Sequence, residues 1–78
     1  MMRVKVKAYA DLQKYNPDKG EEFTVEIKEG ASVKDLMQLL RLPEHRVMVV
    51  LKNERIGKEE DLLADGDAIS FLPVVGGG

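Results

Sequence analysis

The sequence predicts an α+β domain, a sheet with one helix packed across one face. Three observations carry that prediction. Two stretches near the start alternate apolar and polar residues with a period of two. One stretch in the middle follows helical spacing. Further strand-like segments, separated by turn formers, follow the helix.

Arg3 to Ala10 alternates, with Val4, Val6, Ala8 and Ala10 on one side and Arg3, Lys5, Lys7 and Tyr9 on the other. Asn16-Pro17-Asp18-Lys19-Gly20 is dense in turn formers and ends it. Glu22 to Lys28 alternates again, with Phe23, Val25 and Ile27 on one face. The pair reads as an antiparallel hairpin with a long connection. Lys5 and Lys7 then share a face with Glu22 and Glu26, a favourable cross-strand pattern.

Glu29-Gly30-Ala31 turns the chain, and Ser32 with Asp35 three residues on forms a near capping box. Val33, Leu36, Met37 and Leu40 follow at helical spacing, with Lys34, Gln38 and Arg41 outside. Pro43 stops the helix near Arg41 or Leu42. A helix of about ten residues is marginal alone, so it must pack on the sheet.

Arg46 to Lys52 is a third strand, apolar on both sides. Asn53-Glu54-Arg55 turns, and Ile56 starts a short edge strand. Leu62-Leu63 falls in a loop or short helical turn, and Asp65-Gly66-Asp67 is a tight turn. Ala68 to Leu72 is the last strand, with Ile69 and Phe71 inward, and Pro73 ends it.

Composition excludes several classes. The chain has 78 residues, room for one core only, with 44% hydrophobic and 33% charged residues. Twelve Lys+Arg against 14 Asp+Glu give a net charge of −2, too balanced for a nucleic-acid binder. No cysteine is present, which removes disulfides, thiolate metal sites and a cysteine nucleophile. The single His45 builds no His-based metal site and reads as a surface residue. Glu59, Glu60 and Asp61 read as a solvated loop rather than a general acid–base pair. No Walker loop occurs, so this chain is not expected to bind ATP in that mode. No apolar stretch follows a charged start, and the longest apolar run is Val47 to Leu51. A cytoplasmic location with no membrane partner is therefore expected.

Three of the seven glycines are the last three residues, Gly76, Gly77 and Gly78. Chance places such a triplet there in roughly 1 in 3,000 sequences. The bland explanation is an inert tail or a cloning remnant. The chemical one is that Pro73 to Gly78, extended, reaches about 20 Å and that glycines thread a narrow channel without side-chain obstruction.

The end of the chain, Asp65-Gly66-Asp67 and then Phe71-Leu72-Pro73-Val74-Val75-Gly76-Gly77, resembles the MoaD/ThiS family of ubiquitin-like sulfur carriers. Asn53 after an apolar strand and Gly30 before the helix are weaker matches. Leu72 stands where the family often has a first proline, and Gly78 adds a third glycine to the usual pair, so either Gly78 is the working terminus or a processing step exposes Gly77. The resemblance implies a β-grasp fold, a mixed four- to five-stranded sheet with one helix, over residues 1–73. A flexible glycine tail over 74–78 follows. It implies no catalytic residue and no bound cofactor in this chain. A partner activating enzyme would use ATP to adenylate the Gly78 carboxylate, and a sulfur donor would convert it to a thiocarboxylate. Val75, Gly76 and Gly77 would insert into a partner active site, such as that of a synthase large subunit making molybdopterin or a related cofactor. In a β-grasp sheet the third and last strands are neighbours. With Val47, Val49 and Leu51 facing the helix, strict alternation exposes Met48 and Val50 beside Leu72, and docking is expected at Met48, Val50, Phe71, Leu72 and Pro73. Arg3, Lys5 and Lys7 beside that patch read as a solvated face. Conjugation to protein lysines through the same glycine, a thiamine-pathway carrier and a plain binding domain are the alternatives.

Overall fold

The structure is a computed structural model that describes residues 1–15 and 22–73. The expected turn at Asn16–Gly20 and the expected tail at 74–78 lie outside the described residues. The strands are β1 (Met2–Ala8), β2 (Glu22–Ile27), β3 (Val47–Lys52), β4 (Arg55–Gly57) and β5 (Ala68–Pro73), with one helix, α1 (Val33–Leu39). They form one mixed sheet in the order β2-β1-β5-β3-β4. The last strand thus lies in the middle, parallel to β1 and antiparallel to β3. This is the β-grasp arrangement, with the helix on one face.

The alternation in β1 does what a period of two requires. Met2, Val4, Val6 and Ala8 are buried, and Arg3 and Lys5 are exposed. β2 pairs antiparallel with Val4 opposite Val25, Arg3 opposite Glu26 and Lys7 opposite Glu22. β1 ends at Ala8, two residues before the alternation does. Ala10 turns left-handed at φ +52°, and a 3-10 helix, Ala10–Tyr15, follows. That helix drives Leu12 into the core, where it is 1% exposed.

The capping box at Ser32 forms in full. The Ser32 hydroxyl accepts from the Asp35 amide at 3.2 Å, and the Asp35 carboxylate accepts from the Ser32 amide at 2.9 Å. The next two amides of the helix donate to the carbonyls of Asp61 and Glu59. The acidic loop therefore satisfies the start of the helix through its backbone. α1 buries Val33, Leu36 and Met37 and stops earlier than Pro43 demands. Arg41 adopts φ +59°, the Arg41 amide donates to the Gln38 carbonyl, and the Leu42 amide donates to the Met37 carbonyl. That pair of bonds closes the helix end around a left-handed residue, so the stop is local.

β3 departs from simple alternation. Val47 lies opposite Pro73 and Val49 opposite Leu72, so Met48 is an extra residue, a β-bulge. One extra residue swaps the faces of everything after it. Val50, expected on the surface, is opposite Phe71 in the core and 7% exposed. Val49 and Leu51, expected inward, instead share the outer face with Leu72 and Ser70. Phe71, expected inward, is completely buried, and Pro73 is buried on the same side, because both alternate with Leu72 along β5; of the residues expected to dock, these two present no side chain on the outer face.

A side-chain lock ties the β3–β4 turn to the start of β5. Asn53 and Glu54 both have positive φ, +53° and +69°, as a tight hairpin of primed type requires. The Asn53 side chain donates to Asp67 at 3.0 Å and accepts from the Ala68 amide at 2.9 Å. The Asp67 carboxylate, itself buried, also accepts from the Ala64 amide at 2.8 Å.

Candidate docking surface at the chain exit

β5 delivers the chain to Pro73 at the edge of the described structure, between β1 and β3. The pairing with β1 runs past the strand end, where the Tyr9 amide donates to the Phe71 carbonyl at 3.1 Å. Each neighbour holds one side of β5 up to Pro73, so the sheet fixes where the described chain ends.

Of the five residues expected to dock a partner, the structure leaves two on the surface. Met48 is 64% exposed on its bulge, and Leu72 is half-buried. The outer sheet face adds residues that strict alternation hid. Val49 lies opposite Leu72, and Leu51 lies opposite both Ser70 and Ile56. Ile56 is 84% exposed. Val49, Leu51, Ile56 and Leu72 thus make an apolar strip running from the exit toward the β4 edge, with Met48 beside it. The small residues Ala68 and Ser70 lie between this strip and β1, opposite Lys5 and Lys7. They form part of a shallow hollow bordered by Lys5, Lys7 and Tyr9 on one side and Leu51 and Glu54 on the other. An exposed apolar strip rimmed by charge is the usual form of a protein-binding surface.

The basic row of β1 is partly spoken for. Arg3 pairs with Glu26 at 3.6 Å. Lys7 faces Glu22 in the register, while Lys5 faces Thr24 and Ala68. His45 lies exposed in a short 3-10 helix, Glu44–Arg46, outside this surface. Among the described residues no group of three or more His, Asp or Glu side chains is arranged to hold a metal ion. No helix among them is long and apolar enough to cross a membrane. Val75, Gly76, Gly77 and Gly78 lie outside the described residues.

The fold and the surface define a ubiquitin-like domain that presents its C-terminal strand at the centre of the sheet. The chain belongs to the ThiS family of ubiquitin-like sulfur carriers, whose family model matches residues 6–78. Among solved structures, it is similar to a Pyrococcus furiosus protein assigned to subunit 1 of molybdopterin converting factor. The two are 26% identical, with a TM-score of 0.77 over 96% of this chain and 100% of that one. A chain in a complex of subunits 1 and 2 of molybdopterin-converting factor from Helicobacter pylori is 30% identical. Its TM-score is 0.64, over 99% of this chain and 100% of that one. The small archaeal modifier protein 1 of Haloferax volcanii shares the fold at 21% identity, with a TM-score of 0.78 over 96% of this chain and 100% of that one. No curated protein matches the chain significantly by sequence.

Proposed function

We propose that this protein is a sulfur carrier whose Gly78 carboxylate is the working group and whose outer apolar strip is the docking surface. The observation that carries the proposal is the family match, which extends through residue 78 and so includes the glycine tail. The central position of β5 supports it. Five residues beyond Pro73 span at most about 17 Å, enough to enter a partner's active site while the sheet stays outside.

A carboxylate is a poor electrophile because oxide is a poor leaving group. Adenylation by a partner activating enzyme joins the Gly78 carboxylate to the α-phosphate of ATP and releases pyrophosphate. Hydrosulfide then attacks the acyl carbon, and AMP leaves with the electron pair of the broken bond. The product is a thiocarboxylate, and the proton of the hydrosulfide passes to solvent or base. The domain itself performs no catalytic step; it supplies the acyl end and the surface that aligns it. A synthase large subunit is the natural acceptor, because the Helicobacter pylori relative is described in complex with subunit 2 of its converting factor. Molybdopterin or a related cofactor then receives the sulfur.

The test is mass spectrometry of the intact chain after incubation with an activating enzyme of this class, ATP and sulfide. The expected result is exchange of one terminal oxygen for sulfur, lost when Gly77 and Gly78 are deleted. A chain that never gains sulfur under those conditions sinks the proposal. Leu72→Glu with Val49→Glu should abolish the exchange while leaving the circular dichroism spectrum intact, because both side chains lie on the outer face. Conjugation to protein lysines would use the same adenylate. Its mark is higher-mass adducts in cells that vanish on deletion of the terminal glycines.

A further inference from the structure

β2 is an edge of the sheet, and it is the long edge; the other, β4, has only three residues. An edge strand offers a row of backbone donors and acceptors to another strand unless its side chains forbid it. Here the side chains select one partner. Glu22, Thr24 and Glu26 point to the outer face, and Phe23 and Ile27 are buried on the helix side with Val25 half-buried. Lys28, one residue past the strand, is exposed.

Two copies of such a strand can pair antiparallel only about a two-fold axis perpendicular to the sheet, which keeps outer faces together. A residue must then face another of the same parity. Centred on Thr24, the register sets Glu22 against Glu26 at both ends. Centred on Glu26, it sets Glu26 against itself. Centred on Val25, it sets Glu22 against Lys28 twice, Phe23 against Ile27 twice, and Val25 on Val25. Opposite charges and apolar pairs across strands stabilise pairing, and like charges directly opposed oppose it.

We propose that β2 is a self-pairing edge through which two copies of this chain join in the Val25-centred register, continuing one sheet across both. Beside β2, Met1 and Leu39 are exposed apolar residues, 79% and 54%, that flank a groove with Ile27, Gln38 and Lys28. A second copy on the edge covers part of that groove. β1 separates β2 from β5, so the chain exit and the outer apolar strip remain open in the dimer. The interface is small, so the dimer is weak and concentration-dependent.

Analytical ultracentrifugation of the intact chain over a concentration series tests this. The wild type shows a monomer–dimer equilibrium. Lys28→Glu and Glu22→Lys, each of which opposes like charges at both ends, weaken the dimer by roughly tenfold or more, and the double exchange restores it. Ile56→Glu, on β4 at the opposite edge of the sheet, leaves the equilibrium unchanged. A chain that stays monomeric up to about 1 mM overturns the proposal. So does a dimer indifferent to Lys28→Glu, one not restored by the double exchange, or one dissolved by Ile56→Glu.

Discussion

The outer face of the sheet is made of two halves that differ in kind. On β1 and β2 it carries Arg3, Lys5, Lys7, Glu22 and Glu26, with Arg3 opposite Glu26 and Lys7 opposite Glu22, largely in water. On β5, β3 and β4 it carries Val49, Leu51, Ile56 and Leu72, with Met48 on its bulge. Neither half holds the fold together; the core on the opposite face does that. A charged ladder keeps an unpartnered surface soluble, whereas an apolar strip left in water gains free energy only when something covers it. The strip adjoins the end of β5, and under the proposed function the partner that covers it is the one that receives the tail.

The largest expected effect separates two neighbours on β5. Phe71→Ala removes a fully buried ring beneath the apolar half and should cost about 3–5 kcal/mol in denaturant unfolding. Leu72→Ala, one residue on and facing outward, should cost far less and act on partner affinity instead. If both substitutions cost the same stability, the division between core and docking face is wrong. Asp67→Ala comes next. It strands the Asn53 amide and the Ala64 amide, and a loss of about 1–3 kcal/mol is expected; Asn53→Ala introduced together with it should add less than its separate cost, a coupling that a double-mutant cycle reads directly.

Ser32→Ala, which removes the helix cap, should cost about 1 kcal/mol. Its partner Asp35 supplies a pH signature. Hydrogen bonding from the Ser32 amide holds the Asp35 carboxyl below its ordinary range, against the opposing effect of burial. A depressed native value means the stabilisation is present above the ordinary aspartate value, about 4. It is lost as pH falls through the lower native value. Asp35→Asn should therefore flatten the acid limb of the stability curve below about pH 4; a limb as steep as the parent's would contradict the assignment. The smallest effect belongs to the ionic half. Arg3→Ala breaks an exposed pair and should change stability by less than about 1 kcal/mol, with the difference shrinking in high salt.

The sequence made the first half of the chain legible because its constraints there are local. The period of two in β1 and β2 and the Ser32–Asp35 box depend on neighbours within a few residues, and each formed, although β1 stops at Ala8 rather than Ala10. The helix end was harder. Pro43 is a visible stop, but the actual stop is Arg41 in a left-handed conformation, in a position where glycine is the usual signal. The 3-10 helix that carries Leu12 to the core also lacked a clear mark, because its spacing covers a single short turn.

By itself, then, the amino-acid order determined which segments are strands, which is the helix, and that Pro73 is followed by Val74-Val75 and three glycines, one more than the family's usual pair. Only the tertiary structure decided which apolar residues lie on the outer face. A bulge is a mismatch between two strands, and β3 and β5 are joined through chain that folds elsewhere, so Met48 could be recognised as the extra residue only once Val47 and Val49 had met Pro73 and Leu72. That single residue moved Val50 into the core and brought Val49 and Leu51 out to the surface. The same is true of Asn53 and Asp67, fourteen positions apart in sequence and in hydrogen-bond contact only because β3 and β5 lie side by side.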